Sequence, residues 1–301
     1  MAEDQNVNGD RWNDQAFQLL KRFGWEAVGD ANMDLPGADG DALGIDRMYF
    51  YTDFKRSELD QAVVMEAKRY KTTSFSLNGI EGWIKTLDSK LNEFKNSGGI
   101  YEKFPNLSSR PIRTGVIMIW FHDLSNYIDF APRFRDALAN VKLSRRPQAS
   151  NNIYVFDNEN ILRLASLQDS VSKLNQNLKD SLVKFYYPSH GSHLAHRSTT
   201  LNLNYMASKF ILAEYLDDKQ GERRVVFYFG SLSLNSFLRL KHALALYGYL
   251  DKDKPLTIYT YQRDDSEFRK IFPSVVSIFD GQQVEFSEME VMGDLPTFMR
   301  K

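Results

Sequence analysis

The chain of 301 residues carries 38 basic and 39 acidic side chains, a net charge of −1, so affinity for a polyanion must come from a local patch. Hydrophobic residues make up 43% and aromatics 13%, and a length about twice that of a usual domain points to two domains with real cores. Absence of cysteine excludes disulfides and thiolate metal sites; no signal sequence opens the chain and no apolar run reaches the roughly 18 residues of a membrane helix, so a cytoplasmic protein away from membranes is expected.

The first ten residues, MAEDQNVNGD, are polar and aperiodic and read as disordered. Trp12, Ala16, Leu19, Leu20 and Phe23 recur at helical spacing before Gly24, which predicts a helix over 12–23. WEAV is a short β-capable segment, and residues 29–44, rich in Gly and Asp with Pro36, read as a long loop. IDRMYFYTDF and QAVVMEAKRY read as two strands joined by KRSELD. Asn78 and Glu81 have capping-box spacing, and Ile80, Ile84, Leu87, Leu91 and Phe94 form the apolar stripe of the helix that follows. TGVIMIWF at 114–121 has the continuous apolar character of a central strand. A helix near 127–140, a strand at 152–156 and a helix near 158–182 give the order α-β-β-β-α-β-α-β, a mixed sheet flanked by helices.

After a Ser- and His-rich stretch at 186–200 the pattern restarts. Helices near 202–216 and 233–249 and strands RVVFYFG, LTIYTY and VVSIF predict a second, smaller α/β domain. The expected organisation is a domain at 1–185 and another at 186–301, the latter serving sensing, partner binding or dimerisation. His190, His193 and His196 recur every third residue, spread over too wide an arc of a helix for one metal face, and read as a polar interdomain loop. The Ser-rich turn FYFGSLSLNSF invites phosphate binding at a helix start, but Ser231 or Ser233 acting as a cap is the simpler reading; the glycine spacing of a nucleotide-binding loop is absent. Arg133, Arg135, Lys142, Arg145 and Arg146 are the densest basic stretch, either a solvated helix face or a track for phosphates.

Acid-x-Lys triplets occur at Asp53/Lys55, Glu66/Lys68, Asp88/Lys90, Glu93/Lys95 and Asp217/Lys219. Only Glu66/Lys68 ends an apolar strand; Asp88/Lys90 and Glu93/Lys95 are expected on the exposed side of a helix. Residues two apart on a strand share a face, so Glu66 and Lys68 project together. Asp46, at the start of the preceding strand in LGID, lies near Glu66 if the two strands pair as an offset hairpin. Two carboxylates and an ammonium suit phosphodiester hydrolysis: hard oxygen donors hold Mg²⁺, and a lysine stabilises a hydroxide or the charge growing on phosphoryl oxygens.

FGWEAV, the Gly/Asp-rich loop, GID and then VVMEAKRY together resemble the PD-(D/E)xK nuclease superfamily, a restriction-endonuclease-like fold, and look most like its Mrr-type restriction endonucleases over about residues 12–125. The resemblance implies Asp46 and Glu66 as metal ligands for Mg²⁺ or Mn²⁺, the Ala67 backbone carbonyl beside them, and Lys68 as the catalytic lysine. Glu26 is a candidate additional acid. Relatives often carry an acid in the first helix, where this chain has Asp14, Gln15 and Gln18, and Mrr-type enzymes commonly have Gln in place of Glu66. Implied with the family are endonuclease action on DNA, restriction-like antiphage defence, a homodimer and a partner protein that aids selection. Two rivals remain: a non-catalytic nucleic-acid-binding or assembly subunit keeping the fold, and an enzyme whose site lies around Ser231.

Overall fold

A computed structural model describes residues 8–53, 59–110, 112–142, 151–179, 181–189, 194–217 and 221–300. In chain order the first elements are α1 (Asn8–Arg22), β1 (Glu26–Val28), β2 (Met33–Pro36), β3 (Ala42–Ile45), β4 (Arg47–Asp53), β5 (Leu59–Tyr70), α2 (Leu77–Asn96), α3 (Gly98–Lys103), β6 (Ile112–Phe121), α4 (Leu124–Ala139) and β7 (Asn152–Phe156). There follow α5 (Asn158–Asn177), β8 (Lys184–Tyr187), β9 (His196–Ser198), α6 (Leu203–Met206), β10 (Phe210–Asp217), β11 (Gly221–Tyr228), α7 (Leu234–Leu246), β12 (Leu256–Thr260), α8 (Asp265–Ile278), β13 (Val284–Glu288) and α9 (Thr297–Arg300). Contacts divide the chain within α5: Leu59–Ile161 belongs to a unit that also takes up the chain before it from α1 to β4 and, at the far end, α9, and Leu162–Pro296 forms the other.

The first unit is built on a five-stranded sheet in the order β1-β4-β5-β6-β7. β1, β4 and β5 pair antiparallel, whereas β5, β6 and β7 run parallel, which gives the mixed sheet expected from the element order. β6 lies between two strands and buries every residue but Arg113, as its apolar run requires. On one face Met48, Val64, Ile117 and Ile119 pack with Ile84, Leu87, Leu91 and Phe94 of α2 and Phe130 and Phe134 of α4. On the other, Trp12 of α1 stacks on Trp120 and donates its indole N–H to the Met118 carbonyl at 2.9 Å, and Phe17 stacks on Tyr49. Gly24 has φ of 81°, a left-handed value that lets the chain leave α1 and enter β1.

Several local expectations are corrected. α1 begins at Asn8, inside the stretch read as disordered, and residues 1–7 lie outside the described residues. Part of the long loop is a hairpin in which β2 and β3 pair from Met33↔Ile45 to Pro36↔Ala42. The Asn78/Glu81 capping box does not form: α2 already starts at Leu77, and Glu81 pairs with Lys85 one turn on, at 2.7 Å.

The second unit holds a six-stranded sheet in the order β13-β12-β11-β10-β8-β9. β11, β12 and β13 are parallel, linked by α7 and α8, and the rest is antiparallel. Its core gathers Val226 and Ile258 of the sheet with Phe237, Leu240, Leu244, Phe268 and Val275 of the helices. The helix expected at 202–216 is one turn, α6, followed by β10. Because β10 is paired on both sides, its apolar run is that of an interior strand. VVSIF is the end of α8 and its C-cap rather than a strand. Asp264 caps that helix by accepting from the Ser266 and Glu267 N–H groups, and Phe268 and Val275, two turns apart, are buried together.

Candidate active site

The β4–β5 register sets Arg47 opposite Met65, so the next pair outward is Asp46 and Glu66. There β4 has ended, and the Ala67 N–H, left without a strand partner on that side, donates to Asp46 Oδ2 at 2.5 Å. A strand residue sends its N–H and C=O to the same edge, so the Ala67 carbonyl also faces Asp46. The Asp46 carbonyl is itself fixed by Asn13 Nδ2 of α1 at 3.1 Å and by the Asn32 N–H at 2.9 Å. Asn32 takes φ of 52°, a left-handed value that asparagine tolerates. Asn13 Nδ2 also donates to Asn32 Oδ1, and its Oδ1 accepts from Arg47 Nε at 3.1 Å, so one buried amide locks the turn that presents Asp46.

Glu66 is 8% exposed and lies between two ammonium groups. Lys68 Nζ is 3.2 Å from Oε2, and Lys90 Nζ of α2 is 2.7 Å from Oε1. Lys90 also donates to the Gly44 carbonyl at 2.5 Å, joining α2 to the end of β3. Burial raises the Asp46 carboxyl above the ordinary carboxylate range; Lys68 opposes this, Glu66 adds to it, and the Ala67 N–H and Lys90 oppose it. Two carboxylates and two ammoniums thus converge at one end of the sheet. The donor set fits a hard divalent cation: Asp46 and Glu66 offer carboxylate oxygen, and Mg²⁺ keeps part of its water shell beside only a few protein ligands. Among the described residues no group of three or more Asp, Glu, His or Cys is placed to hold a metal ion, so a cation here would rest on this pair and main-chain oxygen.

Asp46, Glu66, Ala67 and Lys68 are therefore brought together, and Glu26 is not. Glu26 is exposed and pairs with Phe50, four residues along β4 from Asp46. The first-helix acid Asp14 is held by Arg47 at 2.5 Å. Lys90, expected on an exposed helical side, is instead a member of the cluster with only 19% of its side chain exposed. In sequence it falls between Leu87 and Leu91 of the buried stripe, and that position was the available signal. Asn13 and Asn32 were also missed, since main-chain anchoring leaves no mark in spacing.

Of the basic stretch, Arg133 and Lys142 are exposed, and Arg145 and Arg146 lie outside the described residues. Arg135 is engaged by Asp157 at 3.4 Å and by Glu159. His190 and His193 also lie outside the described residues; His196 is in β9 opposite Tyr187. Ser233 is the N-cap of α7, accepting from the Ser236 N–H, and Ser231 Oγ lies 2.7 Å from Ser236 Oγ. The serine turn is thus accounted for by capping. No described helix is long and apolar enough to cross a membrane.

Residues 1–160 match the family model described as the GAPS4 protein PD-(D/E)XK nuclease domain. The match supports the superfamily and does not single out the Mrr-type enzymes. No curated protein and no solved structure matches the chain. With more than half of its length matched, the chain belongs to the GAPS4-type PD-(D/E)XK nuclease domain family.

Proposed function

We propose that this protein is a metal-dependent endonuclease that hydrolyses phosphodiester bonds in DNA, acting in the cytoplasm in restriction-like antiphage defence. The observation that carries the reading is the convergence of Asp46, Glu66 and Lys68 at one sheet end in a chain of a nuclease family. In this reading Asp46, Glu66 and the Ala67 carbonyl hold Mg²⁺ or Mn²⁺. The cation supplies Lewis-acid stabilisation of charge on the phosphoryl group. Asn13 and the Ala67 N–H keep the Asp46 carboxylate aimed without help from the substrate. Lys68, 17% exposed at its side chain, presents an ammonium that stabilises a hydroxide or the developing phosphoryl charge. Arg133 and Lys142 are the described cations of the basic stretch left to follow a phosphate backbone. Cutting both strands suits a homodimer, and selection of the target falls to the second unit or to a partner protein.

The test is a substrate panel of supercoiled, linear and single-stranded DNA and RNA, with Mg²⁺, with Mn²⁺ and with chelator. Cleavage of DNA that stops with chelator is expected. Binding of nucleic acid that chelator leaves unchanged, with no cleavage in any condition, supports the non-catalytic rival.

A further inference from the structure

Lys90 reaches the site from a different element than the acid-x-Lys strand end. Its ammonium sits between Glu66 Oε1 at 2.7 Å and the Gly44 carbonyl at 2.5 Å. Both carboxylate oxygens of Glu66 are thereby taken by lysines, one by Lys68 and one by Lys90. Formal charge makes the consequence clear. Asp46 and Glu66 balance Lys68 and Lys90, so a divalent cation binding beside Glu66, only 8% exposed, leaves two positive charges uncompensated. A phosphodiester brings a negative charge and offers the ammonium another acceptor.

We infer that Lys90 is a resident counter-cation that competes with the divalent metal for Glu66, so that the site takes up metal tightly only together with a phosphodiester. The inference rests on Asp46 and Glu66 being the metal pair. Lys90 acts through Glu66, which makes it a positioning residue. A purely structural tie between α2 and β3 would change stability when removed and leave metal affinity as it was.

The experiment titrates Mn²⁺ into wild type, Lys90→Met, Lys90→Arg and Asp46→Asn, following free Mn²⁺ by electron paramagnetic resonance, without nucleic acid and with a short non-cleavable phosphorothioate DNA duplex. Methionine keeps much of the apolar stem and removes the charge. Lys90→Met is expected to bind Mn²⁺ roughly tenfold or more tightly than wild type without duplex, the scale of removing a like charge within about 4–6 Å. Lys90→Arg should stay near wild type, and the duplex should tighten Mn²⁺ binding by wild type more than by Lys90→Met. Equal or weaker binding by Lys90→Met, or a duplex effect equal in the two, overturns the inference. If that occurs while Asp46→Asn loses Mn²⁺, the inference alone falls; if Asp46→Asn binds Mn²⁺ as wild type does, the metal reading falls and takes the inference with it.

Discussion

At Gly115 of β6 the side chain of Leu87 from α2, the helix that carries Lys90, packs directly over the strand backbone. A Cβ placed there would lie 2.6 Å from Leu87 Cδ2 and 2.9 Å from Leu87 Cγ, closer than carbon atoms pack. Leu87 is 1% exposed among Ile84, Leu91 and Phe94, so it has little room to turn away, and Gly115→Ala must push α2 off β6. Overpacking costs about 1–3 kcal/mol, and with Leu87 unable to turn away the upper half of that range, about 2–3 kcal/mol, applies; the better strand behaviour of alanine offsets roughly 0.5–1 kcal/mol, for a net loss of about 1–2.5 kcal/mol. At roughly 2–4 °C per kcal/mol for a domain of 150–250 residues, Tm should fall by about 2–10 °C. The four tryptophans, Trp12, Trp25, Trp83 and Trp120, all belong to the first unit, so urea unfolding followed by tryptophan fluorescence reads that unit alone. Leu87→Ala by itself should cost about 2–5 kcal/mol through the cavity it leaves. In the double variant the new methyl enters that cavity, and the combined loss should fall short of the sum by at least about 1 kcal/mol. A neutral Gly115→Ala, or a double variant equal to the sum, would refute the close α2–β6 contact and with it the placement of Lys90.

Other expectations follow from the ion pairs and hydrogen bonds. Arg135→Ala should lower stability by about 1–2 kcal/mol, since Asp157 is left buried with one partner fewer, while leaving the salt dependence of DNA binding unchanged. Arg133→Ala and Lys142→Ala should do the reverse, each reducing the slope of log K against log salt by about 0.9 if it contacts a phosphate. Asp123 joins the end of β5 to the start of α4, accepting from the Thr72 N–H at 2.8 Å and the Thr72 hydroxyl at 2.5 Å. Partial burial raises its pKa, but the Thr72 and Asn126 hydrogen bonds outweigh that and hold it below the ordinary value of 3.8. A depressed carboxyl contributes stability in full above its unfolded value and loses it as pH falls through the folded one. Loss of these hydrogen bonds in Asp123→Ala, screened by solvent, should cost about 1 kcal/mol near neutrality, and denaturation at a series of pH values should show the gap narrowing only below about 3.8.

The site's strand residues were legible because strand geometry is local. Glu66 and Lys68 share a face by period two, and Asp46 meets Glu66 once two adjacent runs pair antiparallel. The continuous apolar run of β6 likewise announced a central strand. What was not legible depends on packing between distant segments. The β2–β3 hairpin hides behind Gly, Pro and Asp residues that read as loop. β10 and the end of α8 are both short apolar stretches, and only two-sided pairing for one and the Asp264 cap for the other separate strand from helix. Lys90 depends on how α2 is rotated over the sheet, which the stripe through Ile84, Leu87 and Leu91 indicates, and on how far a lysine stem reaches, which it does not.

The central claim is that Asp46, Glu66 and Lys68 form a hydrolytic site. Its most direct test is the Mg²⁺-dependent rate of DNA cleavage by wild type beside Lys68→Ala and Asp46→Ala, each checked for native tryptophan fluorescence. The account predicts cleavage by wild type and a loss of at least about 10²-fold in both variants, the scale of removing one stabilising group from a reacting centre. Folded variants that cleave at the wild-type rate would contradict it.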